Sequence, residues 1–218
     1  MINRQWILIP LLASLLVAGN VRAGAYEDML QAIHLGDEQS VTELLRRGMD
    51  VDTVSPKGET LLMLAVREGK PNVVKTILAA RPRLHARNPL GESALMLAAI
   101  LGHTEIAKLL IDAGAPVNQP GWTPLIYAAA GNRVDIGRML VAKGADVNAA
   151  AENGTTALMM ASREGHLQML LMLLEHGADA KYVSPSGHSA LGNAEDRGHR
   201  DIAAVLRRAG AVSGTPAP

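Results

Sequence analysis

Apolar side chains recur along this chain in blocks that return about every 33 residues, and one glycine marks each block. The intervals between these marker glycines are 33, 30, 33 and 33 residues. In every block a leucine follows the marker after four residues and an alanine after seven, a spacing typical of a helix. A period of this length predicts a stack of small units rather than one globular core. The marker glycines are Gly58, Gly91, Gly121, Gly154 and Gly187.

Each block predicts a first helix with a defined beginning and end. A hydroxyl side chain two residues after the marker can accept the free backbone N–H groups that begin a helix. A glycine eleven residues after four of the markers predicts a left-handed residue that ends it. The alanine at the seventh position predicts the close approach of a neighbouring backbone. The hydroxyl residues are Thr60, Ser93, Thr123, Thr156 and Ser189.

A second helix follows in each block, with apolar residues at helical spacing about fifteen to twenty residues after the marker. It is predicted to end at Gly114, Gly144, Gly177 and Gly210. Two helix ends depart from the pattern, because Asn132 stands where a first-helix glycine is expected and Arg81 where a second-helix glycine is expected.

Residues 26–57 fit the same frame, so the sequence predicts six units, beginning near residues 26, 58, 91, 121, 154 and 187. Polar residues replace apolar ones in the outer units, as Ser40 and Glu43 do in the first and Arg207 in the last. Terminal units need a polar outer face because nothing stacks on them. Residues 211–218 lack the period and are predicted to be a disordered tail.

The segment Gly121-Trp122-Thr123-Pro124-Leu125 and the phrase Gly144-Ala145-Asp146-Val147-Asn148 resemble the ankyrin repeat, and the resemblance covers roughly residues 26–210. It implies an all-α solenoid of about six helix-turn-helix units with projecting β-hairpin loops. It also implies a role in protein–protein interaction. The family's usual histidine after Thr-Pro-Leu is absent, so the hydrogen bonds of that side chain are in doubt. The residues at this position are Met63, Met96, Ile126, Met159 and Gly192.

The resemblance also implies where a partner would bind, namely the loops beside the markers and the last turn of each first helix. Apolar residues occupy the middle of this concave side and charged residues its ends, which predicts a binding patch with a polar rim. We expect Leu90, Ile100, Leu101 and Trp122 to lie near each other in this patch. In the alternative interpretation, the shortened third interval folds the Trp122 loop over Ile100 and Leu101. The predicted contact residues are Leu90, Glu92, Ile100, Leu101, Trp122, Arg67, Glu68, Arg163 and Glu164.

Composition and the absence of known motifs argue against several classes of function. Aromatic residues make up 2% of the chain and the formal net charge is zero, which disfavours nucleic-acid binding. No phosphate-binding loop, nucleophile elbow or zinc motif is present, so we expect no catalysis, no cofactor and no metal site. His103, His166 and His199 occupy equivalent positions and are interpreted as structural, because stacked units hold them too far apart to share one ion.

The N-terminus resembles a secretory signal. A positive end at residues 1–4 precedes an uncharged apolar run at residues 6–18, and Ala23-Gly24-Ala25 fits a cleavage site after Ala23 or Ala25. We therefore expect residues 1–25 to be removed and the remainder exported, with no later membrane span. The resemblance to exported ankyrin-repeat proteins of Gram-negative bacteria implies the periplasm. An uncleaved anchor in the inner membrane is the alternative.

These observations predict a monomeric, non-catalytic scaffold that binds a protein partner of unknown identity. Stabilising or assembling an exported enzyme is one role that such a scaffold could have. An inhibitor or immunity protein that neutralises a toxin or hydrolase is the alternative, because it too needs only a complementary surface. An enzyme or metal carrier is a third hypothesis.

Overall fold

The computed structural model describes residues 24–214, and within this range the chain forms twelve helices paired into six units. The predicted all-α stack is confirmed. The first helices of the six units are α1 (24–35), α3 (Leu61–Arg67), α5 (Ala94–Leu101), α7 (Pro124–Ala130), α9 (Ala157–Glu164) and α11 (Ala190–Asp196). The second helices are α2 (Glu38–Arg46), α4 (Pro71–Ala79), α6 (Thr104–Asp112), α8 (Val134–Ala142), α10 (Leu167–Glu175) and α12 (Arg200–Arg208).

The helices stack in two layers. From α3 to α11 each first helix packs against the next, and from α2 to α12 each second helix does the same. The alanine seven residues after each marker lies in the first layer with no solvent exposure, which lets the helix backbones approach closely. These alanines are Ala65, Ala98, Ala128, Ala161 and Ala194.

The predicted helix beginnings are confirmed in the five units that carry a marker. Each hydroxyl accepts the backbone N–H three residues later, as Thr60 does from Met63 at 3.2 Å. In the third unit the Met96 sulfur lies 3.2 Å from the backbone nitrogen of Ser93 and accepts its N–H. A methionine sulfur thus supplies one of the hydrogen bonds at the position where the ankyrin histidine is missing.

The predicted helix ends at glycine are confirmed as well, and the two positions that lack glycine adopt the same turn. Asn132 and Arg81 have φ values of 54° and 57°, and they are the only non-glycine residues with positive φ in the described part of the chain. This left-handed region favours glycine, so the fold imposes the same backbone turn on an asparagine and an arginine.

The loops before the first helices are of two kinds. In the second, fifth and sixth units an antiparallel bridge closes a short hairpin, as between Val54 and Thr60. The third and fourth loops have no such bridge among residues 24–214, and the fourth is also three residues shorter. The Asn118 side chain ties the fourth loop to the next unit, donating to the Gly144 carbonyl (2.7 Å) and accepting the Asp146 N–H (2.8 Å).

The predicted signal and the predicted tail lie at the two ends of the chain, and the structure describes only part of each. Residues 1–23 of the predicted signal lie outside it, and residues 24–25 belong to α1. No helix within residues 24–214 has the length and apolar character needed to cross a membrane. After α12, the Ser213 hydroxyl donates to Glu195 (3.0 Å) and the Gly214 N–H to Ser189 (2.9 Å). Residues 215–218 of the predicted tail lie outside the described residues.

Ser162 lies inside the first layer, and replacing it with alanine is expected to stabilise the protein. Its hydroxyl is fully buried and has no hydrogen-bond partner in the described chain, whereas Ala99 and Ala129 occupy the same position in the neighbouring units. An unsatisfied buried hydroxyl costs about 1 kcal/mol or more. Ser162→Ala should therefore raise the denaturant midpoint of unfolding. The matched change Ser93→Ala should lower it, because Ser93 caps α5. A lower midpoint for Ser162→Ala would contradict this description.

Candidate partner-binding face

The loops and the first helices that follow them lie on one side of the stack, which we call the inner face. Exposed large apolar residues occur along this face, with Leu35, Val54 and Val183 in the first, second and sixth units and three more in the third and fourth units. Leu90 at the third loop is 79% exposed, Leu101 at the end of α5 is 40% exposed and Trp122 in the fourth loop is 37% exposed. Ile100 is half-buried. The fourth loop therefore leaves Leu101 uncovered.

Trp122 lies just before α7 and is held by its neighbours. Its indole packs edge-to-face on the ring of Tyr127, with ring centroids 5.8 Å apart and an interplanar angle of 73°. The Gln119 side chain donates to the Trp122 carbonyl at 3.2 Å. Leu101 ends the neighbouring helix at its far end, so about 12 Å of helix axis separates it from the indole. The structure thus spreads the apolar residues along the face rather than gathering them around Trp122.

Two of the predicted charged residues meet beside Trp122. The guanidinium of Arg67 pairs with Glu59 of its own unit and with Glu92 of the next unit, 3.5 Å away. The side chains of Glu59 and Glu92 are only 11% and 14% exposed. Glu92 also accepts hydrogen bonds from Asn88 (2.8 Å) and from the hydroxyl of Tyr127 (3.3 Å). A polar network therefore spans the second, third and fourth units.

The other predicted charged residues lie apart from this network. Glu68 pairs with His34 of the first unit at 2.9 Å. Arg163 and Glu164 pair with each other at 2.9 Å, and Arg163 lines a cavity of about 350 Å³ together with Asp196 and Arg197 of the sixth unit. Within residues 24–214 no three His, Asp or Glu side chains are placed to hold a metal ion.

Sequence reasoning missed Tyr127, which joins the aromatic and charged parts of the face. Burial, together with the charge of Glu92 and the hydrogen bond to it, raises the pKa of Tyr127 to about 12. The phenol therefore stays protonated at neutral pH and donates to Glu92. Tyr127 stands where the other units carry Leu64, Leu97, Met160 or Asn193, so its departure from the repeat was the available signal.

The Tyr127 phenol is expected to ionise near pH 12, and changing Glu92 to Gln should lower that pKa toward the ordinary value of 10.0. Because the folded pKa lies above the unfolded one, the unfolded chain loses this proton first, and stability should fall as the pH rises from about 10 to about 12. The tyrosinate absorbance during a pH titration measures the shift, with Tyr127→Phe identifying the transition. An unchanged titration in Glu92→Gln would contradict the contact.

Side chains at the start of the second helices contact backbone carbonyls of the preceding unit. The sequence pattern predicted that the histidines are structural but did not identify these partners. The ring nitrogen of His166 lies 2.9 Å from the carbonyl oxygen of Ala129 in the preceding unit, and His199 makes the same kind of contact with Arg163 at 3.2 Å. In the fourth unit Arg133 takes the histidine's place and donates to Ile100 at 3.2 Å. These contacts give the histidines structural partners.

Two family models match the chain. One, described as ankyrin repeats (3 copies), covers residues 29–119 and 62–151, and the other, described as ankyrin repeats (many copies), covers residues 140–191. A putative ankyrin repeat protein of Rickettsia bellii (strain RML369-C) is 30% identical over 123 residues, which are 52% of this chain and 35% of that protein. Protein phosphatase 1 regulatory subunit 27 of Mus musculus is 36% identical over 126 residues, which are 57% of this chain and 62% of that protein.

The chain therefore spans about a third of the first relative and about three fifths of the second. Both matches are consistent with the helix pairs, the left-handed helix ends and the alanine layer described above. Ankyrin repeats are generally non-enzymatic and support protein–protein interaction. By its fold, its repeat pattern and these matches, the chain belongs to the ankyrin-repeat family.

Proposed function

We propose that this protein is a non-catalytic scaffold, exported to the periplasm, that binds a protein partner through the inner face of its third and fourth units. The observation that carries the proposal is the exposed Trp122 beside an ordered polar network. Buried tryptophans surrounded by polar contacts often contribute most of the binding energy of an interface. The network and the Gln119 contact hold the loop before a partner arrives, which reduces the entropy lost on binding.

The contact surface that we propose extends beyond Trp122 along the inner face. Leu90, Ile100 and Leu101 supply apolar area between Trp122 and the charged ends. Arg67 and Glu92 would lie next to the indole, whereas Glu68 and the Arg163–Glu164 pair would contact the partner nearer the two ends. An extended surface of this kind suits a folded protein better than a small molecule.

The proposed partner is an enzyme that the scaffold stabilises or helps to assemble. One relative is by name a regulatory subunit of a protein phosphatase, which supports an enzyme as the partner. The same observation supports the second candidate, an inhibitor or immunity protein, because both act on an enzyme. The effect of the bound chain on the partner's activity distinguishes them, since a helper preserves or raises it and an inhibitor abolishes it.

The test is a pull-down from periplasmic extract of the source organism with residues 26–218 as bait. Trp122→Ala and Leu101→Asp should each lose the partner that the unchanged bait retains. Leu171→Asp is the matched control, because Leu171 is 41% exposed, as Leu101 is 40% exposed, but lies on α10 in the second layer. It should retain the partner. Retention of the same proteins by all four baits, or by none, would contradict the proposed face.

A further inference from the structure

The geometry points to a basic side chain of the partner, arginine above all, bound beside Trp122 and Tyr127 within reach of Glu92. This inference rests on the proposed protein-binding function and specifies the chemistry of the partner at the same face. It follows from two features of the inner face, an unbalanced charge and an exposed aromatic pair.

The first feature is a charge imbalance under partial burial. Glu59 and Glu92 are two carboxylates that share the single guanidinium of Arg67. Within residues 24–214 neither carboxylate has another basic side-chain nitrogen within 4.0 Å. The Arg87 guanidinium, which borders the fourth loop, donates to the Pro120 carbonyl at 3.5 Å instead. One negative charge on this part of the face thus has no ionic partner.

Hydrogen bonds keep that charge in place without neutralising it. Asn88 and Tyr127 both donate to Glu92, at 2.8 and 3.3 Å, and these hydrogen bonds orient its carboxylate. Both donors are uncharged, because Tyr127 keeps its proton at neutral pH. A partly buried carboxylate that shares its one guanidinium with a second carboxylate attracts a further cation more strongly than a fully solvated carboxylate does.

The second feature is the aromatic pair next to this carboxylate. Trp122 is partly exposed, and its edge-to-face packing on Tyr127 links it to the hydroxyl that contacts Glu92. The faces of aromatic rings attract cations, and tryptophan does so best. A guanidinium fits both parts of the site, because it stacks on a ring and donates to a carboxylate in one plane.

The third and fourth units are suited to this role by their departures from the repeat. At the position after the marker Trp122 replaces the glutamates of the two preceding units, Glu59 and Glu92. On the other side of the fourth loop, a carboxylate oxygen of Glu152 lies 3.9 Å from where a side chain at Gly121 would begin. Carboxylates therefore lie on both sides of the loop that carries the indole, which favours a basic partner segment over an acidic one.

Two small peptides test the inference with the full chain. Acetyl-Gly-Arg-Gly-amide is titrated against the isosteric, uncharged acetyl-Gly-citrulline-Gly-amide while the indole N–H signal of Trp122 is followed by NMR. The signal is identified by its loss in Trp122→Phe. We expect a saturable shift with the arginine peptide and an affinity about fivefold lower with the citrulline peptide. Glu92→Gln should remove most of that difference.

Glu105→Gln is the control, because it removes the same charge from α6 in the second layer, where Glu105 pairs with Lys75 at 3.2 Å. It should keep the preference for arginine. Equal binding of the two peptides, no shift with either, or an unchanged preference in Glu92→Gln would overturn the inference. The proposed function is tested separately by the pull-down. If the peptides fail but Trp122→Ala still loses a partner that the unchanged bait retains, the proposed function is supported and only the inference about arginine is wrong.

Discussion

Trp122→Ala is expected to weaken the captured complex by at least about thirtyfold in Kd, which corresponds to about 2 kcal/mol for a tryptophan at the centre of an interface. The indole is partly exposed and its main aromatic contact is Tyr127, so the partner would complete its burial. Loss of this contact and of the buried part of the indole should lower the free energy of unfolding by about 2 kcal/mol. Calorimetric titration with the purified partner and a thermal melt of the free chain measure the two effects separately.

Trp122→Phe is the matched variant, because it keeps an aromatic ring against Tyr127 while removing the indole. It should retain a larger share of the affinity than the alanine variant. A marked fall in Tm for Trp122→Ala with unchanged Kd would show that the side chain stabilises the fourth loop and does not bind the partner.

Ala128→Leu is expected to lower the free energy of unfolding by about 3 kcal/mol, because it overpacks the layer of first helices. Ala128 has no solvent exposure, and its helix α7 packs against both α5 and α9. The larger side chain would have to displace one neighbouring helix, and interiors at crystal-like density have no space to accept it. Equilibrium unfolding in urea measures the loss.

The control for this change is Ala130→Leu, which makes the same substitution two residues later in α7 at a half-buried position. It should change the unfolding free energy by less than about 1 kcal/mol. Equal effects at the two positions would mean that helix propensity, rather than the close approach of backbones, accounts for the alanine layer.

The sequence predicted the parts of the fold that depend on local backbone chemistry. Hydroxyls such as Thr60 and Ser189 cap the helices because a cap needs only the right residue at the right offset. The ends at Asn132 and Arg81 followed the period although neither residue is a glycine. The position within the repeat thus determined the backbone conformation more than the residue type did, since the neighbouring units impose the turn.

Contacts between units could be predicted only in part. Glu92 and Tyr127 are 35 residues apart, and their contact depends on which side-chain rotamers the stack allows. The period predicts that the two residues lie in adjacent units, but it does not predict that their side chains are in contact. Leu101 and Trp122 were expected to lie near each other, but Leu101 lies at the end of α5 and Trp122 just before α7. The period does not give their positions along the helix axis.

The fourth loop shows a link between units that the sequence pattern did not reveal. Asn118 holds this loop, which has no hairpin bridge, by side-chain hydrogen bonds to the next unit. Asn148 makes the equivalent bonds one unit later, to Gly177 (3.1 Å) and Asp179 (2.8 Å). The asparagine in the repeated Gly-Ala-Asp-Val-Asn phrase was visible in the sequence, but its role as a link between units was not.

Amide hydrogen exchange of the purified complex tests the central claim most directly, because it shows which part of the stack the partner covers. Binding at the inner face should slow exchange at residues 88–92 and 119–127 relative to the free chain, with little change in the second helices α6, α8 and α10. Protection confined to those second helices, with the Trp122 loop exchanging as fast as in the free chain, would contradict it.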